Sequence, residues 1–149
     1  MRLLFGFVAD SAQSGPDGKI HALGAGIDQI KAPAYPFVVP ILTLVFRVGF
    51  APSEIGQTLK LHLAAHDPSG AATPVVSAEM TPTQPPQGTE AAANILVGVQ
   101  GLELTSPGEY SWTLSNEAGE IIGRLAVVGL EPPAPESVSP APGRGSTSS

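Results

Sequence analysis

The chain has no cysteine. Disulfide frameworks, thiolate metal sites and cysteine nucleophiles are therefore excluded, while the compartment stays open. Positive charge is also scarce, with Lys+Arg 7 against Asp+Glu 13 and a net charge of −6. Duplex binding rests on several phosphate contacts, so a nucleic-acid partner is not expected. Anionic membrane surfaces are disfavoured for the same reason. No run approaches the roughly 18–20 apolar residues that a membrane-spanning helix needs.

Aromatic residues are few: one Trp, two Tyr and five Phe. A sugar-binding sandwich usually presents exposed aromatic platforms, and this supply is meagre. The nucleophile elbow Gly-x-Ser-x-Gly, the Walker loop, His-Glu-x-x-His and the Asp-rich calcium loop are all missing. Gly24-Ala25-Gly26 lacks the third glycine and the βαβ setting of a dinucleotide fingerprint. No metal and no cofactor is expected.

What is present is a series of short apolar segments separated by Gly/Pro turns. The 149 residues fit one domain, large enough to bury a core without a staple. Residues 107–130 carry the clearest signal. Pro107-Gly108 launches a strand with Tyr110, Trp112 and Leu114 on one face and Glu109, Ser111 and Thr113 on the other. A polar turn at Asn116–Gly119 returns the chain through Ile121–Val128, a closing β-hairpin.

Upstream, Leu3–Asp10 reads as a first strand, apolar on both faces and hence central or covered. Its start imitates a signal peptide, but the apolar run Leu3–Ala9 is short and Asp10 ends it, so a strand is the better reading. Ser11–Gly18 reads as a turn and Lys19–Ile27 as a second strand, paired with the first as a hairpin. Asp28–Pro40, with Pro33, Pro36 and Pro40, suits a crossing between sheets. Ile41–Phe50 and Gln57–Asp67 alternate cleanly, the latter with Leu59, Leu61 and Leu63 inward and Lys60 and His62 outward. Pro74–Met80 is a short strand. The prolines at 82, 85 and 86 keep Thr81–Thr89 outside any sheet. Ala91–Leu104 is a strand whose phase Gly101 breaks, with a short helix at Glu90–Asn94 as an alternative for its start.

These eight strand candidates predict an all-β fold, an antiparallel β-sandwich of immunoglobulin-like or jelly-roll-like form. The sandwich domain spans 1–130. Residues 131–149 are Pro, Ser, Gly and Ala with almost no large apolar residue, and are expected to be a disordered tail.

The opening segments, Leu4-Phe5-Gly6-Phe7-Val8-Ala9-Asp10-Ser11-Ala12-Gln13 and Gly18-Lys19-Ile20-His21-Ala22-Leu23-Gly24-Ala25-Gly26-Ile27-Asp28, carry a resemblance. They are similar to a family of small uncharacterised bacterial proteins that open with an apolar strand, an Ala-Asp-x-Ala-Gln segment, a Gly-Lys turn and a glycine-rich strand. Ala25 departs from the family's run of three glycines. The resemblance implies a stand-alone β-sandwich of bacterial origin, with no assigned activity and no catalytic residues.

Polar candidates remain. His62 and His66 lie on one face of one strand, about 13 Å apart at roughly 3.3 Å per residue, too far to share a metal on a straight strand. They read first as solvent-facing residues. Asp10, Asp28 and Asp67 end strands, where Asp usually closes a turn on nearby amides. Asp10 and Gln13 are placed to hold the glycine-rich strand, or to line a site beside it with His21. Tyr35 and Phe37 are expected in a loop, read first as a lid on one end of the sandwich and second as a contact patch for a partner.

The sequence thus favours a non-enzymatic module that works by contact with protein, itself or another, in the cytoplasm. One rival is a small hydrolase or isomerase using His21, His62 or His66 with Asp10 or Asp28. Another is a ligand-binding sandwich using Tyr35 and Phe37.

Overall fold

A computed structural model describes residues 1–133. The expected disorder of the tail falls almost wholly on residues 134–149, outside the described residues. The rest is all-β, apart from one short 3₁₀ turn at Pro52–Glu54. Ten strands follow in order: β1 (Arg2–Ala9), β2 (Ser11–Ser14), β3 (Ile20–Leu23), β4 (Gln29–Ile30), β5 (Phe37–Gly49), β6 (Leu59–His66), β7 (Ala72–Met80), β8 (Ala92–Leu104), β9 (Gly108–Asn116) and β10 (Ile121–Gly129).

They form a three-stranded sheet, β1-β5-β8, a five-stranded sheet, β4-β10-β9-β6-β7, and a separate β2-β3 hairpin. Every pairing is antiparallel except β4 with β10. The two larger sheets pack as a sandwich, and the apolar phase of each strand builds the core between them. Leu42, Leu44, Phe46 and Val48 of β5 are buried against Leu61 and Leu63 of β6, Tyr110, Trp112 and Leu114 of β9, and Leu125 and Val127 of β10. The closing hairpin therefore sits as the alternation at 107–130 requires.

The first forty residues differ from the sequence reading. β1 is an edge strand, not a central one, and Phe5 on its outer face is 44% exposed. On that outer face the Phe5 and Phe7 rings stack on each other, their centroids 6.2 Å apart. The β2-β3 hairpin lies across the outside of the three-stranded sheet, where β2 runs against β5 and β8. Thr43 and Val45, on the outer phase of β5, are buried. Asn94 of β8 donates to the carbonyl of Gly18 at 2.8 Å and ties the hairpin down.

β1 does not pair with a strand at 19–27. The hairpin partner of β3 is β2, so Ser11–Ser14 is strand and the turn shrinks to the residues between. Gly24 and Gly26 lie beyond β3, both with positive φ. At Gly24 the need for glycine is double: φ is +64°, and a Cβ would fall 2.0 Å from Oδ2 of Asp10.

Within Asp28–Pro40, Gln29 and Ile30 add a parallel strand to the edge of β10, and β5 begins at Phe37. Pro40 thus lies inside a strand. It is tolerated because β1 pairs with β5 no further than Thr43, leaving that side of β5 free. Pro40 falls opposite Gly101 in the β5-β8 ladder, between Val39↔Leu102 and Ile41↔Gln100. Burial inverts on both strands there: Val39 and Leu42 are buried while Pro40 and Ile41 between them are exposed. The break of phase expected at Gly101 is a joint inversion of the pair. The helix alternative at Glu90–Asn94 does not form; β8 is extended from Ala92.

One margin of the sandwich is pinched shut. A Cβ at Gly6 of β1 would sit 2.9 Å from Leu125 of β10, and one at Gly123 of β10 would sit 2.8 Å from Leu3 of β1. Glycine at both positions lets the edges of the two sheets approach closely. Because β1 lies over β10, the other ends of the two sheets, β8 and β7, both lie away from this pinch.

Candidate functional site

The polar residues singled out from the sequence are scattered over three surfaces. His62 and His66 lie on the outer face of the five-stranded sheet. His62 Nδ1 is 2.8 Å from Ser77 Oγ on β7, and His66 Nε2 is 3.0 Å from Thr113 Oγ1 on β9. Both are cross-strand hydroxyl pairs of the kind that stabilise a sheet face. Lys60 faces Glu79 at 3.8 Å, and Arg124 pairs with Glu109.

A shallow groove of about 430 Å³ runs past His66, Ser111, Thr113 and Arg124. It offers a histidine beside hydroxyls, but its carboxylates are engaged elsewhere. Glu109 is held by Arg124. The carboxylate of Asp67 accepts from the Ser69 amide at 2.9 Å, the Ser69 hydroxyl at 2.5 Å and the Ala71 amide at 3.1 Å. Among the described residues no histidine is paired with a carboxylate, and no three His, Asp or Glu residues converge as metal ligands would.

Asp67 instead closes the β6-β7 turn. The Ser69 hydroxyl bond, then the backbone amides, hold its carboxyl below the ordinary value of 3.8 against a smaller opposing effect of desolvation. A depressed carboxyl stabilises the fold above its unfolded pKa and loses that contribution as pH falls through the folded value. The turn should therefore loosen only below about pH 4, followed by the amide shifts of Ser69 and Ala71 in an NMR titration. Asp67→Asn should abolish that acid-limb shift; an unchanged titration would assign it to another group.

Asp10, Gln13 and His21 gather around the β2-β3 hairpin. The Asp10 side chain lies beside Gly24, and its backbone amide donates to the Leu23 carbonyl at 3.0 Å. Gln13 does not reach the glycine segment; it stands opposite His21 on the exposed face of the hairpin. That face borders a wide, open concavity of about 690 Å³, lined by Gln13 and His21 together with the apolar Ile20 and Leu23. Asp28 acts through its backbone, its carbonyl accepting from Val128 N at 2.9 Å.

Tyr35 and Phe37 both pack against the core as half-buried residues. The Tyr35 hydroxyl donates to the Leu130 carbonyl at 2.6 Å and so ties the chain before β5 to the end of β10. Phe37 is not in a loop; it starts β5, opposite Leu104.

The surface that local patterns do not disclose is made by the free edges of β7 and β8. Three strands cannot cover five. Ala72–Glu79 of β7 are exposed along their whole length, including Val76 and Ala78, whose ladder partners Leu63 and Leu61 are buried. Among the described residues β7 pairs only with β6, and β8 only with β5. Both therefore present one unpaired row of backbone donors and acceptors on an open margin. On β8 the core-phase side chains Ile95, Val97 and Val99 are only half-buried. Strand order decides which strands are edges, and strand order is not written in any single segment.

Residues 4–127 match the model of a family of unknown function, DUF6941. No curated protein matches the chain.

Proposed function

We propose, for a chain that belongs to DUF6941 and so inherits no assigned chemistry, a non-enzymatic contact module whose working surfaces are the open edges at β7 and β8. The observation that carries this reading is the composition of β8. From Ala91 to Leu102 the chain holds no charged residue, and within β8 no proline. Natural edge strands are usually guarded by lysine, proline, bulges or a covering element. A long, uncharged and apolar edge is a template for pairing with another strand, the mode in which backbone hydrogen bonds supply affinity and alternate side chains supply specificity.

The rival catalytic reading requires a carboxylate to orient His21, His62 or His66. The rings of His62 and His66 face hydroxyls, and His21 stands opposite Gln13. The aromatic ligand site requires Tyr35 and Phe37 to be free, and both lie on the core.

Site-specific photo-crosslinking in the native host tests the proposal. A photoreactive residue at Gly98, on the outer phase of β8, should capture protein, whereas one at Ala126, on the outer face of β10, should not. Capture at Gly98 should persist when residues 134–149 are removed. Capture from Ala126 alone, or capture lost on truncation, would move the working surface off the β8 margin.

A further inference from the structure

The free edges differ in what they permit. β7 carries Pro74, Glu79 and a register shift opposite Leu63/Ala64. Each of these hinders addition of a further strand. β8 carries none of them over Ala92–Leu102. We propose that the occupant of the β8 edge is β8 of a second copy of this chain, paired antiparallel about a two-fold axis through Val97; this rests on the contact-module reading above and names its partner.

The pairing must satisfy symmetry and side-chain phase together. A two-fold axis perpendicular to the sheet makes the contact isologous and joins two three-stranded sheets into one of six. Directly opposed residues in an antiparallel ladder point to the same face, so the register must match like phase with like. Centring on Val97 does this from Asn94 to Gln100, up to the inversion of phase at Gly101. On the core side Val97 meets the partner subunit's Val97, and Ile95 meets the partner's Val99. On the outer side Leu96 meets the partner's Gly98, a small residue under a large one. Asn94 falls opposite the partner's Gln100, with its own amide held inside the protomer by Gly18 and Arg47. A foreign strand would need this same sequence of apolar, small and amide residues, and β8 supplies it itself.

Charge agrees. The molecule is acidic, with net charge −6, so two copies repel wherever carboxylates meet. In this register Glu103 falls opposite the partner's Ala91, and the two Glu103 residues stand roughly 40 Å apart at about 3.3 Å per residue. That far exceeds the screening length of about 8–10 Å at physiological salt. Glu90, at the other end, is held by Arg2 at 2.8 Å. The neutral stretch of β8 is thus where two acidic copies can approach.

Sedimentation equilibrium on the full chain tests the inference. The wild type should form a dimer whose dissociation constant rises about tenfold or more in Gly98→Lys, which sets two like charges beside the axis. A side chain at Gly98 meets nothing within 4 Å in the protomer, so the fold should be unaffected. Gln100→Lys, also on an exposed residue, is the second variant and should act in the same direction. Val97→Cys fixes the register. The chain has no other cysteine, and directly opposed residues lie about 4.5–5.5 Å apart, within disulfide reach. Oxidation should give a covalent dimer. A wild type monomeric up to 1 mM, or a dimer that both lysine variants leave intact, would overturn self-pairing; a dimer in which Val97→Cys fails to cross-link would overturn the register. If the wild type is monomeric while Gly98 still captures a different protein, the second copy is excluded and the contact module stands.

Discussion

Replacing Trp112 with alanine should lower stability by about 3–5 kcal/mol, the cost of a large aromatic removed from a packed core. Trp112 is 2% exposed and is the largest of the fully buried side chains. In the ladder it lies between Ala65 of β6 and Leu125 of β10. Ala65 is the small neighbour that leaves room for the indole, so its methyl cannot fill the vacated space. Repair would require movement of the facing sheet, whose Leu44, Phe46 and Val48 are themselves fully buried. Such cavities collapse only in part. A loss of this size approaches the whole stability of many domains, so the variant should be partly unfolded at 37 °C. Trp112 is the only tryptophan, and the variant must be followed by circular dichroism. A melting point lowered by only a degree or two would show that the indole is not a core element.

The second large effect is expected two residues earlier. The Tyr110 hydroxyl donates to the Ser106 carbonyl at 2.7 Å and accepts from the Ser106 amide at 3.1 Å. One side chain thus satisfies both backbone groups of the residue before Pro107. Tyr110→Phe keeps the ring and leaves both Ser106 groups without a partner in a partly buried corner. The expected cost is about 1–3 kcal/mol, from the lost bonds and the desolvation of what they left. Denaturant titration gives the value directly, since the midpoint should fall with an unchanged slope. A loss below about 0.5 kcal/mol would mean that water replaces the hydroxyl. The arrangement matches the tyrosine corner of immunoglobulin-like sandwiches, in which a cysteine stands two residues on. Here that position holds Trp112, and the inter-sheet fastening is a packed indole instead of a disulfide.

The closing hairpin was legible because one face of it is buried and the other, Ser111 apart, is not. Strict alternation records that asymmetry residue by residue, and Tyr110, Trp112 and Leu114 lie inward as their spacing requires. The same rule read β6 correctly. It failed for β2, since Ser11-Ala12-Gln13-Ser14 has almost no apolar content; that segment is a strand only because Ile20–Leu23 pairs with it. It allowed β1 a central place because apolar residues on both faces are also what a central strand shows; the outer pair, Phe5 and Phe7, instead stack on each other at a sheet edge. Pro40 was read out of the sheet by a sound principle whose premise, a partner on both sides, does not hold at that point of β5. The candidate site was half legible. The absence of charge between Ala91 and Leu102 is plain in the sequence, but its meaning depends on β8 being an edge. That follows from pairings between segments far apart in the chain.

The order of strands in the larger sheet also bears on how the molecule is made. β9 and β10 are the last of the described strands in sequence yet occupy the middle, between β4 and β6. A nascent chain released up to residue 107 holds both flanks of that sheet and nothing to join them. β6 then lacks one of its two ladder partners, and β4 has none. Folding on the ribosome therefore cannot advance strand by strand. It must wait for the final hairpin to insert as a keystone, which places the rate-limiting contacts at long sequence separation. A stalled or truncated product lacking that hairpin would be a client for chaperones and proteases, not a smaller version of the same fold.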